Sequence, residues 1–158
     1  MFDAIARLVT RVAELERRNS NAFRHGTVVE VDPKKQLVRL QIGGTEQEPF
    51  KSPWVPYGQI AGALKVHTPP SIGQTMTMIN PGGDFRQGVA LPMTWSDNNK
   101  SPSEKGDEHV VTFGDFRAEL RGNELTIKVP RLFIECDGST FELTGGGLKM
   151  VAPDYDFD

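Results

Sequence analysis

Cysteine, tryptophan and tyrosine are scarce in this 158-residue sequence, which contains one, two and two of them. The single cysteine, Cys136, excludes an intrachain disulfide framework and a cysteine-based zinc cluster, and we interpret it as a buried thiol. No apolar run approaches the roughly 20 residues that span a bilayer. The N-terminus lacks the basic start, apolar stretch and cleavage site of a secretion signal, so we expect assembly in the cytoplasm.

A basic excess is also missing, because 18 Lys and Arg stand against 21 Asp and Glu. This balance disfavours sequence-independent nucleic-acid binding, which requires a basic surface that displaces counterions. No nucleophile, base and acid occur in a catalytic pattern, and no paired carboxylates suggest glycosidase chemistry. The three histidines, His25, His67 and His109, share no sequence context. The residues therefore predict neither an enzyme nor a protein that holds a metal or another cofactor.

Residues 1–20 are expected to form a helix, because no Gly or Pro occurs between Phe2 and Arg18. Apolar residues recur there at spacings of three and four, which is one stripe of an amphipathic helix. The stripe consists of Ile5, Leu8, Val12 and Leu15. Two heptads are marginal as a free helix in water. Either sister copies of this helix or a receiving pocket must therefore hold it.

Residues 21–97 change to short alternating strands separated by turns, which is typical of a small β-barrel. The expected strands and extended segments are 27–31, 36–42, 53–57, 75–79 and 87–95. Five short strands with one long irregular connection, 59–68, predict a barrel of the OB type. OB barrels often stack nucleotides on aromatic residues. In this acidic chain we expect Trp54 and Trp95 to pack in the core or at a subunit interface instead.

Residues 98–107 are polar and predict a linker, and the segment 108–152 that follows alternates apolar with charged or polar residues. Turn residues break the alternation into five expected strands. Their centres are Ala118, Ile127, Ile134, Glu142 and Lys149. The apolar residues expected on one side are Phe116, Leu120, Leu125, Ile127, Val129, Leu132, Ile134, Cys136, Phe141, Leu143, Leu148 and Met150.

One copy of this segment can bury little, because each strand has a narrow apolar face and no helix follows to cover it. Its sheet edges would also remain open to indiscriminate pairing. Several copies wound about a common axis would bring the apolar faces together and pair each edge with the next chain. Three flat faces enclose a dry triangular core. We therefore expect a homotrimer, with the tail residues and the helical stripe as trimer-core candidates.

The order of helix, barrel, linker and short β-repeat tail resembles the baseplate assembly protein V family, the central tail spikes of contractile-tail phages. The local motifs that carry the resemblance are Gly26-Thr27-Val28-Val29-Glu30-Val31-Asp32, Pro53-Trp54-Val55-Pro56, Pro70-Ser71-Ile72-Gly73-Gln74, Asn80-Pro81-Gly82-Gly83-Asp84 and Gly88-Val89-Ala90-Leu91. The implied fold is mainly β: an N-terminal α-helix, an OB-fold-like barrel and a C-terminal trimeric spike of interwound β-helix or β-prism.

The resemblance implies a homotrimeric virion protein of the tail baseplate. Its partners would be tail hub, tube and baseplate proteins, and its spike would contact the host outer membrane transiently during sheath contraction. Related spikes often end in a His-any-His motif that holds iron at the tip. No such pair occurs here, so the iron is not expected.

A separate apex protein is a candidate cap for the tip. Residues 153–158 are expected to form a tip tail, which is either solvated or an apex-docking segment. The candidate docking residues are Asp154, Tyr155, Asp156, Phe157 and Asp158.

Two other functional classes fit parts of the sequence. An OB-fold module that recognises nucleic acid or carbohydrate would be a monomeric barrel with a dispensable tail. A peptidoglycan-cleaving enzyme would act on purified cell walls, and we expect no such activity. A spike of a tailocin or of a type VI-like device would have the same sequence features as a phage spike.

Overall fold

The chain divides into two compact units, the first ending at Lys100 and the second beginning at Ser101. The computed structural model describes residues 2–45 and 47–154. The first unit contains the helix and a barrel, and the second consists of β-strands joined by turns. The protein is therefore mainly β with one N-terminal helix.

Helix α1 spans Phe2–Ala22 and continues without a connecting loop into strand β1, Phe23–Asp32. The expected helix end at residue 20 lies two residues too early. Asn19, Ser20 and Asn21 are weak helix formers, but the barrel completes the hydrogen bonding of the last helical turn. The backbone N–H of Asn80 donates to the Ala22 carbonyl at 2.8 Å.

The barrel contains six strands, of which β1 is the longest. The others are β2 (Leu37–Gly44), β3 (Pro49–Lys51), β4 (Val55–Pro56), β5 (Thr75–Ile79) and β6 (Val89–Pro92). The sheet runs β3-β2-β1-β5-β6 with antiparallel pairing throughout, and β4 pairs with β2. A parallel bridge between Tyr57 and Ala90 connects the end of β4 to β6 and closes the barrel.

The barrel core lies inside this closed sheet. Its buried hydrophobic side chains are Val28, Val38, Leu40, Ile42, Val55, Tyr57, Met76, Met78 and Ala90. A bulge between Val28 and Glu30 interrupts the pairing of β1 with β2, and bulges of this kind increase strand curvature. Gly26 allows a close approach, because a Cβ there would lie 2.5 Å from the Gln41 carbonyl oxygen.

The second unit contains two three-stranded antiparallel sheets. The first sheet consists of β7 (Glu108–Phe113), β8 (Phe116–Arg121) and β9 (Glu124–Lys128). The second consists of β10 (Arg131–Cys136), β11 (Ser139–Thr144) and β12 (Gly147–Val151). Each strand pairs with its neighbours along the chain within its own sheet.

Three strand expectations differ from the structure. The barrel contains strand β3, Pro49–Lys51, which none of the expected strands includes. Strand β7 adds a sixth strand to the second unit, where the alternation after Phe116 predicted five. The expected barrel strand 87–95 is reduced to Val89–Pro92, because Pro92 has no N–H with which to continue the ladder. Turns lie at Gly122-Asn123, Asp137-Gly138 and Gly145-Gly146, where turn residues break the alternation.

Candidate interaction surfaces

The apolar stripe of α1 is exposed along its whole length. Ile5, Leu8, Val12 and Leu15 are between 44% and 61% accessible, and no residue of α1 is buried among those described. Within residues 2–45 and 47–154 nothing covers the stripe. Its support by sister helices or by a receiving pocket stays a prediction.

Three ion pairs join charged side chains within α1. Glu14 accepts hydrogen bonds from Arg17 Nε at 2.8 Å and from Arg18 Nε at 2.7 Å. The Arg17 and Arg18 guanidinium groups lower the pKa of the Glu14 carboxyl to about 2. A third pair joins Asp3 to Arg7 one turn apart. The side chains of the apolar stripe, by contrast, remain exposed.

The first sheet of the second unit has one apolar and one charged face. Antiparallel partners share a face, so the pairing of Ala118 with Val111 and Ile127 places these three side chains together. The complete set on this face is His109, Val111, Phe113, Phe116, Ala118, Leu120, Leu125 and Ile127. Phe113 is 87% exposed and Ile127 is 47% exposed.

The second sheet repeats this division. Leu132, Leu143 and Leu148 form one row across its three strands, and Ile134, Phe141 and Met150 form the next. A cleft of about 330 Å³ is lined by Ile127 of the first sheet and by Leu132 and Leu143 of the second. The apolar faces of the two sheets therefore adjoin, although each sheet pairs only within itself.

The predicted trimer-core residues of the tail lie on these two faces or, for Val129, directly after β9. Phe116, Leu132 and Phe141 are half-buried, and the other nine are exposed. Their role in a trimer stays a prediction. Cys136 is exposed in the chain, so the expected burial of its thiol is wrong for a single copy. The cause is that this apolar face has no cover within the described chain.

The alternation identified from the sequence missed Val111 and Phe113, which extend the first apolar face onto β7. The signal was present, because both residues alternate with polar Thr112 and precede a Gly114-Asp115 turn. Phe133 and Val151 break the alternation in the second sheet. They lie on its charged face with Glu135, Glu142 and Lys149, where the Arg131 guanidinium stacks 4.8 Å from the centre of the Phe133 ring.

Part of the expected linker is attached to the charged face of the first sheet. Arg117 donates from Nη1 to the Pro102 carbonyl at 3.1 Å, and the Ser103 hydroxyl donates to the Glu108 carboxylate. This hydrogen bond lowers the pKa of Glu108. The Glu108 side chain is almost fully covered. The segment is irregular, as expected, but its second half is held against the sheet.

The barrel surface offers less organised chemistry. Trp54 and Trp95 are exposed, so core packing is wrong for both, and their place at a subunit interface stays a prediction. The Arg39 guanidinium lies 5.8 Å from the centre of the Trp54 ring. His25 shares a hydrogen bond of 2.7 Å with the Thr77 hydroxyl. Residues 2–45 and 47–154 contain no cluster of three or more His, Cys, Asp or Glu side chains that could hold a metal ion.

The predicted apex-docking segment is described only as far as Asp154, and Tyr155, Asp156, Phe157 and Asp158 lie outside the described residues. Across the described chain, no helix combines the length and the apolar character needed to cross a bilayer.

Comparison with known proteins agrees with an OB-type barrel in the first unit. Residues 24–95 match the type VI secretion system/phage-baseplate injector OB domain. Over 144 residues, or 91% of the chain, the sequence is 29% identical to the spike protein of Escherichia phage P2. The chain spans 59% of the length of that relative. The resemblance found in the sequence is therefore confirmed: the barrel matches an injector OB domain, and most of the chain is similar to a phage spike protein.

Proposed function

We propose that this protein is a non-enzymatic tail spike of a contractile phage-type tail. It acts as a homotrimer at the centre of the baseplate, assembled in the host cytoplasm and carried in the virion. The observation that carries the proposal is the pair of adjoining apolar faces in the second unit. The injector OB domain and the similarity to a phage spike support the same assignment.

The apolar faces provide a physical reason for association. Full burial of a large aliphatic side chain stabilises by about 1.5–3 kcal/mol. Leu125, Ile134 and Leu148 are each more than half exposed, so most of that gain is still available to a partner. Three copies with these faces turned inward would bury them on one axis. Their charged faces, with Arg117, Glu119 and Lys128, would remain in water.

The edges of the two sheets provide a second reason. Strands β7 and β9 each pair on one side only within the first sheet, as do β10 and β12 within the second. Unpaired edges favour pairing with another chain. In the proposed trimer each edge meets a neighbouring copy, which gives the interwound β-helix or β-prism of residues 108–152.

The stripe of α1 would form a third contact in the same trimer, with Ile5, Leu8, Val12 and Leu15 in its core. The barrel of residues 21–97 would sit at the hub, next to tail hub, tube and other baseplate proteins. Residues 98–107 would join it to the rod. A narrow rod concentrates the force of sheath contraction on a small area of the host outer membrane, so the proposed action is mechanical. Residues 153–158 would form the tip, with or without a separate apex protein.

The native cysteine tests this arrangement without mutation. In one chain Cys136 is exposed and shares its face with Ile134 and Phe141, so a monomer should react rapidly with a maleimide. In the trimer that face is covered. We expect a native mass of three chains and slow labelling that becomes fast in denaturant. A folded monomer at micromolar concentration, labelled equally fast with and without denaturant, would contradict the proposal.

A further inference from the structure

The last turn of α1 rests on the turn between β5 and β6. Asn80 in this turn is buried, with 1% of its surface exposed. Its backbone N–H donates to the Ala22 carbonyl and its Nδ2 donates to the Asn21 carbonyl, both at 2.8 Å. The final carbonyls of a helix have no partner inside the helix. A single barrel residue therefore supplies two of the hydrogen bonds that complete α1.

Gly83, three residues further along, touches the helix backbone directly. A Cβ built on Gly83 would lie 2.6 Å from the Arg18 carbonyl oxygen and 2.8 Å from the Arg18 Cα. Both are backbone atoms, so no side-chain rotation could relieve such a collision. Gly82 and Gly83 have φ values of +61° and +74°, which glycine adopts at little cost. The turn can therefore lie flat against the helix because residue 83 has no side chain.

The chain itself provides the remaining attachment. Ala22 is followed at once by Phe23, which pairs with Ile79 at the start of the β1–β5 ladder. The helix and the turn thus leave the barrel from neighbouring ends of two paired strands. The attachments are the covalent connection at residue 22, the two hydrogen bonds from Asn80 and the contact of Gly83 with Arg18.

We infer that residues 80–84 are a rigid coupling that makes α1 and the barrel one body. Asn80 and Gly83 act as positioning residues for the helix. A 21-residue helix is about 31 Å long at 1.5 Å per residue, so a small change of angle at the joint moves its far end by several times as much as its near end. The coupling therefore sets where the stripe of Ile5, Leu8, Val12 and Leu15 is presented. This inference does not depend on the proposed spike function.

The direct test measures the distance between the helix and the barrel in solution. Spin labels are attached to cysteines introduced by Arg11→Cys in α1 and Lys34→Cys in the β1–β2 turn, with Cys136→Ser in the same chain. Chains with the two introduced cysteines are co-expressed with a large excess of cysteine-free chain, and the purified protein is then labelled. Nearly all labelled particles then contain one labelled chain, whatever their oligomeric state. Pulsed electron spin resonance gives the distribution of the label-to-label distance.

Two matched pairs of variants separate the coupling from general damage. Gly83→Ala and Gly82→Ala both place alanine at a positive φ, but only position 83 faces the helix, and a Cβ at Gly82 has no atom within 4 Å. Asn80→Ala removes the amide-to-carbonyl bond to Asn21. Its control, Asn99→Ala, removes a similar bond of 2.9 Å from Asn99 Nδ2 to the Gly73 carbonyl, within the barrel unit and away from the helix.

We expect one narrow distance in the parent chain, unchanged in Gly82→Ala and Asn99→Ala, and shifted or broadened in Gly83→Ala and Asn80→Ala. The thermal transition of the barrel, followed by tryptophan fluorescence, shows which variants have folded. If only one of Gly83→Ala and Asn80→Ala folds, that variant and its control are sufficient for the test. A broad distribution in the parent would overturn the inference. So would an unchanged distance in the folded Gly83→Ala or Asn80→Ala protein, or equal broadening in the paired controls.

Discussion

Replacing Ile127 by aspartate should abolish the proposed trimer while leaving the fold of the single chain intact. Ile127 lies on edge strand β9 of the first sheet, paired with Ala118 of the central strand, and it lines the adjoining cleft. It is already 47% exposed, so an aspartate at this position can face water in a single chain. Lys128→Asp is the matched control, because it places the same residue at the next position of β9, on the charged face.

The size of the effect on trimer formation follows from the part of the Ile127 side chain that is exposed in one chain and would be buried in the trimer. Full burial of an isoleucine side chain stabilises by about 1.5–3 kcal/mol, and half of this stabilisation is about 1 kcal/mol per chain. Three chains lose about 3 kcal/mol together, which is roughly a hundredfold in the assembly equilibrium at 1.4 kcal/mol per factor of ten. A carboxylate buried on the axis adds several kcal/mol per ion. Lys128→Asp avoids both costs.

Sedimentation velocity over a range of micromolar concentrations measures the outcome. The parent and Lys128→Asp proteins should sediment as trimers, and Ile127→Asp as a monomer. Far-ultraviolet circular dichroism should show the same β content for both variants per chain. If Ile127→Asp remains a trimer with the same resistance to urea as Lys128→Asp, the apolar face is not the assembly surface and the reasoning fails.

Three further predictions concern the stability of single units. Leu40→Ala in the barrel core should lower the free energy of unfolding by about 2–5 kcal/mol, measured by urea titration, and an effect below that range would show that the core is loosely packed. Gly26→Ala should destabilise the barrel by at least about 1–3 kcal/mol, which is the usual cost of overpacking. The reason is that the new Cβ would collide with the Gln41 carbonyl oxygen. An unchanged melting temperature would contradict the close approach of the two backbones. Ser103→Ala should destabilise the second unit above pH 4.5, which is the ordinary pKa of a glutamate such as Glu108. The Ser103 hydroxyl donates to the ionised Glu108 carboxylate and so lowers its pKa, and this stabilisation is lost in the variant. The difference in melting temperature between the variant and the parent should shrink as the pH falls through the lowered pKa of Glu108. A difference that grows on acidification would contradict a lowered pKa.

The regular alternation in the second half of the chain was enough to predict most of its strands. From Phe116 onward, apolar and polar residues alternate and turn residues punctuate them, so strand positions and faces follow from a period of two. The helix was predicted for the same reason, from the spacing of Ile5, Leu8, Val12 and Leu15. These patterns are local, and each element satisfies its own backbone within a few residues or with its neighbour.

Long-range contacts decided the features that the sequence left open. The end of α1 depends on Asn80, which is 58 residues beyond Ala22, and no local pattern around Asn19 could indicate it. Strand β7 is a different case, because its local signal, Val111 and Phe113 alternating with Thr112 before the Gly114-Asp115 turn, was present in the sequence.

The sequence by itself determined the helix, most of the strands and the apolar sides of the helix and of the tail strands, because amphipathic periodicity is a property of consecutive residues. Only the tertiary structure decided how the helix joins the barrel and which apolar surfaces remain uncovered. Both depend on which distant backbones meet. Asn80 against Asn21 and Ala22, and Ile127 beside Leu132 and Leu143, become neighbours only after the chain has folded.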